Sequence, residues 1–285
     1  MALAFHMVDV FGSGPFTGNP VAVVTGGDDL DTEEMQRITR WFNLSETTFL
    51  LPPTDPAADY RVRIFTLDRE LPFAGHPTLG TCGVWLDSVG QGHVADEVVQ
   101  ECGAGLVTLW RGTNASGDDG LAFAAPPLLR YEPPTAEELD EAVRFLRIEA
   151  SQVVDASWAD NGPGWLAVRL GSAEEVLAVD PARSWPHRIE VGIVGPHGSG
   201  GVADFEVRAF FTDHRGSVIE DPVTGSLNAS LAQWIFDTVL AERQYVARQG
   251  TALGRDGRVF ARKGSDGRVW IGGQVRIHAA GAFSL

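Results

Sequence analysis

Two cysteines, a single lysine and no long apolar run mark out much of what this 285-residue chain is not. Cys82 and Cys102 are too few for a disulfide framework and lack the spacing of a zinc site. The 7 histidines show no HExxH pairing or regular ligand spacing, so no metal is expected. Lys263 is the lone lysine, and the net charge is −16, with 22 Lys and Arg against 38 Asp and Glu. No basic run is present to displace counterions from a nucleic acid, or to draw the chain to an anionic membrane. An anionic small molecule is still an acceptable partner, because one local site can be positive on an acidic protein. No stretch approaches the roughly 20 apolar residues that a membrane helix needs. The opening Met-Ala-Leu-Ala-Phe-His has neither the charged start nor the long apolar stretch of a signal peptide, so a reducing cytoplasm is the expected location. There is no G-x-S-x-G elbow. Segment 12–18 is glycine-rich but lacks the dinucleotide-binding spacing; it reads as a turn lining a site.

What is present is a globular composition, 44% hydrophobic and 21% charged, with a length that permits two domains. Short extended segments dominate: 6–11, 21–24, 48–51, 60–67, 97–101, 106–110, 121–125, 152–156, 165–170, 189–194, 205–211, 258–261 and 269–277. So many strands exclude an all-helical fold. Capping-box spacings, Asp31 with Glu34 and Thr135 with Glu138, open helices expected to run to about Phe42 and Leu146. Two other helices, expected over 77–88 and 226–242, are small or apolar on most sides in their first turns, as helices surrounded by protein are.

Those two helices share a pattern. His76-Pro77-Thr78-Leu79-Gly80-Thr81 and Asp221-Pro222-Val223-Thr224-Gly225-Ser226 both read titratable residue, proline, two others, glycine, hydroxyl residue. A repeat would put one buried helix in each half, with the polar stretch 114–120 between the halves. Proline suits a first helical turn, glycine lets a ligand approach the backbone, and free N–H groups there attract anions. The same features also describe two well-capped buried helices. His76, next to a helix start, has a disfavoured cation and suits a neutral hydrogen-bonding role, though a lone histidine before proline is more often a structural residue. Asp221 reads either as a functional carboxylate, with Glu220 beside it to split their pKa values, or as an N-cap. Glu46 stands between a helix end and an apolar strand, where partial burial would fit it for proton transfer; a surface carboxylate at a strand start is the plainer reading.

Taken together, several segments resemble the PhzF family, named for phenazine biosynthesis. They are Phe16-Thr17-Gly18-Asn19-Pro20-Val21-Ala22-Val23, Asn43-Leu44-Ser45-Glu46-Thr47, Glu70-Leu71-Pro72-Phe73-Ala74-Gly75-His76-Pro77-Thr78-Leu79-Gly80, and Glu220-Asp221-Pro222-Val223-Thr224-Gly225-Ser226, with Gln249-Gly250 and Gly272-Gly273 in the tail. They occur in family order over nearly the whole chain. The resemblance implies an α+β, diaminopimelate-epimerase-like fold of two pseudo-symmetric lobes, each a curled, mostly antiparallel sheet around a central helix. The lobes would be 1–117 with a returning strand 274–285, and 118–273. It implies a cofactor-independent isomerase acting on a small carboxylate in the interlobe cleft, and a homodimer. By the same resemblance Glu46 carries the proton, His76 and Asp221 polarise the substrate or assist, and Asn19, Ser45, Gly75, Gly225 and Ser226 bind it.

The fold's racemase branch uses a cysteine at each helix start, and here neither start carries one. An epimerase or racemase of an amino-acid-like substrate is the enzymatic alternative. A non-catalytic small-acid binding protein is the other.

Overall fold

The computed structural model describes residues 2–89, 96–113 and 119–285. Most of the polar stretch 114–120, and with it the boundary expected after residue 117, lies outside the described residues. The chain divides into two compact units, Met1–Ala124 with Gly272–Leu285, and Ala125–Ile271.

The first unit contains β1 (Ala2–Val10), β2 (Asn19–Thr25), α1 (Thr32–Phe42), β3 (Glu46–Leu51), β4 (Tyr60–Thr66), β5 (Glu70–Leu71), α2 (Gly75–Val89), β6 (Glu97–Cys102), β7 (Gly105–Thr113) and β8 (Asp119–Ala124). The last strand of the chain, β18 (Val275–Ser284), pairs antiparallel with β1. β1 pairs antiparallel with β2, and β2 parallel with β3 across the α1 crossover. β4 is antiparallel to β3 and β5, and parallel to β6 across α2. Asp31 and Glu34 form the expected reciprocal cap, with Glu34 N–H to Asp31 Oδ1 at 2.8 Å and Asp31 N–H to Glu34 Oε2 at 3.0 Å. α2 is enclosed: every residue from Gly75 to Cys82 is buried, and the helix packs on β1, β2, β3, β4, β8 and β18. Small residues make this possible. A Cβ on Gly80 would stand 2.5 Å from Val21 Cγ1, so the helix sits closer to β2 than any larger residue allows.

The second unit contains β9 (Arg130–Glu132), α3 (Ala136–Leu146), β10 (Val153–Asp160), β11 (Trp165–Leu170), α4 (Ala173–Ala178), β12 (Glu190–Pro196), β13 (Phe205–Thr212), β14 (Val218–Asp221), α5 (Gly225–Asp237), β15 (Gln244–Gln249), β16 (Gly257–Lys263) and, as far as Ile271, β17 (Val269–Gly273). β10 pairs antiparallel with β11, and β11 parallel with β12 across α4. β13 is antiparallel to β12 and β14, and parallel to β15 across α5. α5 is buried over most of its length and packs on β10, β11 and β16. α3 and α4 cover an apolar cluster that includes Phe145, Leu146, Val168, Val176, Ile193 and Phe210.

Several expectations need correction. The helix expected to reach Glu242 ends at Asp237. Val239 takes the left-handed conformation, φ 57°, and Leu240 N–H closes back on the Ile235 carbonyl at 3.1 Å, the terminating turn that glycine usually makes. The segment expected as one strand over 269–277 is two, β17 and β18, parted at Gln274. α4, β9, β14 and β15 were not expected. Nor do the two matched hexapeptides occupy matching places. Gly225 opens α5, while its sequence counterpart Gly80 lies within α2; the helix-opening glycine of the first unit is Gly75. Among the described residues no helix is long and apolar enough to cross a membrane.

Candidate functional site

Three of the expected residues meet inside the first unit. β2 and β3 are parallel, so both begin at the same edge of the sheet, β2 with Asn19 and β3 with Glu46. Asn19 is delivered by the glycine-rich turn. The buried Asp9 carboxylate accepts the backbone N–H groups of Thr17 and Gly18, at 3.0 Å each. A Cβ on Gly18 would lie 2.1 Å from the Val10 carbonyl oxygen, so only glycine passes there. Glu46 is delivered by the end of α1, where Asn43 turns left-handed at φ 55° and donates its N–H to Thr39 O. The second residue of α2, His76, then inserts between them. Its Nδ1 lies 3.4 Å from Asn19 Nδ2, and its Nε2 lies 3.4 Å from Glu46 Oε2.

The electrostatics of this trio follow from burial. The His76 side chain is 5% exposed and that of Glu46 17%. Burial pushes the His76 pKa down to about 3, against which a hydrogen bond to the Pro20 backbone carbonyl works only weakly. The positive end of α2 disfavours the imidazolium further. The contact with Glu46 is therefore a neutral imidazole beside a carboxyl group and not an ion pair. A neutral ring beside that carboxyl group supplies no compensating cation. Gly75 is buried at the helix start beside His76. Ser45 stands on the exposed turn before β3, outside the buried trio.

Asp221, Gly225 and Ser226 meet in the second unit. Asp221 ends β14, paired with Ala209 of β13. It is not the N-cap of α5: that position is Thr224, whose hydroxyl donates to Asp221 Oδ2 at 2.6 Å. Nor does Glu220 share a site with Asp221. Successive residues of a strand face opposite ways, and Glu220 turns to Arg208, with bonds of 3.0 and 2.8 Å. Gly225 is buried, and Ser226 follows it as the second residue of α5. Ser226 is held twice, by the Trp165 indole N–H on its Oγ at 3.0 Å and by Asn161 Nδ2 on its carbonyl at 2.9 Å.

Residue by residue, the sequence points to Thr224 only as part of the helix-start segment 224–226, and not to Gln249, Trp165 or Asn161 as site residues. Gln249 is fully buried and bonds both Thr224 and the Asp221 carbonyl. A signal for it was present: it closes a strand in which Tyr245 and Ala247 alternate inward with it, and a polar residue at such a position needs polar partners. Cys82 is buried in α2, and Cys102 is partly buried in β6; neither stands at a helix start.

The family model described as PhzC-PhzF, phenazine biosynthesis-like protein, matches residues 8–281. Antisense-enhancing sequence 1 of Schizosaccharomyces pombe is 34% identical over 98% of this chain and 97% of its own length. Trans-2,3-dihydro-3-hydroxyanthranilate isomerase of Pseudomonas chlororaphis is 32% identical over 93% of this chain and 91% of its own. Among solved structures, a PhzF-family phenazine biosynthesis protein of Enterococcus faecalis superposes with a TM-score of 0.80, at 26% identity and with 100% of each chain covered.

Proposed function

This chain belongs to the phenazine biosynthesis-like PhzC-PhzF family, and on that footing we propose that it is an isomerase that moves a proton between carbons of a small carboxylate substrate without a cofactor. The observation that carries the mechanism is the placement of Glu46 against a buried, neutral His76 at the start of α2. Glu46 takes a proton from a carbon whose C–H is acidified by its neighbours. The electron pair left behind spreads into the adjoining unsaturated system, where the backbone N–H groups at the helix start stabilise the charge. Glu46 then delivers the proton to another carbon of that system, so one C–H bond breaks, another forms, and the substrate leaves as its isomer. His76, which Asn19 contacts on its other ring nitrogen, stands beside the carboxyl group through both transfers. Family resemblance supports assigning Asp221, Gly225 and Ser226 to substrate binding, with Asp221 assisting the transfer, and Ser45 to the rim of the site.

A duplicated plan supports the two-lobed, diaminopimelate-epimerase-like reading of the fold. Each unit runs a parallel pair bridged by a helix, two antiparallel steps, a buried helix and a second parallel pair. In each, the first residue of a strand bonds the second residue of the buried helix, Asn19 to His76 and Trp165 to Ser226. The resemblance also supports a homodimer, which sedimentation of the purified protein tests.

The assay is incubation in heavy water with trans-2,3-dihydro-3-hydroxyanthranilate, the compound named for the Pseudomonas relatives, and with a panel of cyclic and amino carboxylic acids. A product with a shifted double bond and a new C–D bond is the expected result. Inversion at one carbon would instead establish the epimerase alternative, and binding without label uptake from any compound would establish the binding protein.

A further inference from the structure

The hydrogen bonds around Gln249 leave one arrangement of hydrogens. Gln249 is fully buried, and its amide makes four bonds. Thr224 N–H, 3.1 Å away, can only donate, so the amide atom facing it is the oxygen, Oε1. The Asp221 carbonyl, 3.1 Å away, can only accept, so the atom facing that is Nε2. Asn228 Nδ2 fills the second lone pair of Oε1 at 2.8 Å, and Nε2 gives its second hydrogen to Thr224 Oγ1 at 2.9 Å. The Thr224 hydroxyl is thus already an acceptor towards Gln249. Its own hydrogen goes to the other oxygen within reach, Asp221 Oδ2, at 2.6 Å. A hydrogen donated at that distance favours the ionised acceptor.

From this chain of directed bonds we infer that Gln249 is a positioning residue: acting through Thr224, it holds Asp221 as a proton-accepting carboxylate. The assignment answers a question that family resemblance leaves open, which of His76 and Asp221 gives up a proton during the reaction. Asp221 enters the cycle as the hydrogen-bond acceptor and does not donate the first proton. The inference rests on the reading above in which Asp221 works on the substrate, and its test separates the two.

Neutron diffraction from crystals of the wild-type protein grown in heavy water reads the hydrogens directly. Deuterium on Thr224 Oγ1 pointing at Asp221 Oδ2, with two on Gln249 Nε2, is the expected map. Deuterium on Asp221, or a Thr224 hydroxyl turned to Gln249, overturns the assignment whatever the substrate proves to be. Turnover of trans-2,3-dihydro-3-hydroxyanthranilate gives the functional reading. Thr224→Val, which keeps the shape and removes the hydroxyl, lowers kcat about 10- to 100-fold with KM within about twofold, and Thr224→Ser recovers most of the loss. Thr224→Val at wild-type rate beside an inactive Asp221→Asn overturns the positioning role alone. Asp221→Asn at wild-type rate overturns the reading on which it rests.

Discussion

Nε2 of His76 stands 3.4 Å from Oε2 of Glu46, a contact between the second residue of one buried helix and the first residue of a strand that follows another helix. Because burial leaves the imidazole neutral, the contact sets a ring nitrogen beside a carboxyl oxygen and is not a pair of opposite charges.

That neutrality has a measurable sign. In the unfolded chain His76 titrates near 6.5, and in the folded protein burial moves it down to about 3. Below pH 6.5 the unfolded state therefore takes up a proton that the folded state refuses. Stability falls as the pH drops through that window, by up to about 1.4 kcal/mol per unit, and His76 contributes nothing above it. Urea midpoints between pH 4 and 8 should show a shallower acid decline for His76→Gln than for the wild type (about 1 kcal/mol or more by pH 5). Parallel declines would show that His76 titrates normally in the fold.

The cysteines should be bystanders. Burial raises the Cys82 pKa to about 12, so hardly any of the reactive thiolate exists at neutral pH. Cys82 should resist a disulfide reagent until the protein unfolds, and Cys82→Ala should keep proton exchange within about threefold of wild type. A Cys82→Ala protein that folds but has lost exchange would restore the thiol racemase as the better reading.

Glu220 has a structural task. Arg208, only 5% exposed, holds it with two bonds and also donates to the carbonyls of Val176 and Val179. Glu220→Gln leaves a buried guanidinium short of its counter-charge and should lower unfolding free energy by about 3–5 kcal/mol in a denaturant titration. A change under about 1 kcal/mol would mean that the carbonyls alone satisfy Arg208.

What could be read from the chain in advance was what is decided locally. α1 and α3 are legible from capping boxes, where a side chain and a backbone N–H three positions apart settle the helix start. The end of α5 was not legible, because Val239 adopts the left-handed turn in which a glycine would have been the signal. β15 was missed because one of its inward positions is the polar Gln249, whose partners lie on Thr224, Asn228 and Asp221. The paired hexapeptides pointed to the right helices in the wrong register, since proline marks the first turn of α2 but precedes α5. At the site, Glu46 as a sequence position is indistinguishable from a surface carboxylate. Family resemblance singled it out, and its burial against His76 depends on β2, β3 and α2 arriving at one edge.

The central claim is that Glu46 carries the proton. Wild-type protein and Glu46→Gln, each in heavy water with trans-2,3-dihydro-3-hydroxyanthranilate, should bind the compound with similar affinity in a calorimetric titration. Mass spectrometry should find deuterium taken up with the wild type, and uptake slower by about 100-fold or more with Glu46→Gln. Glu46→Gln protein that incorporates deuterium at the wild-type rate would contradict the account and send the search for the base to another residue.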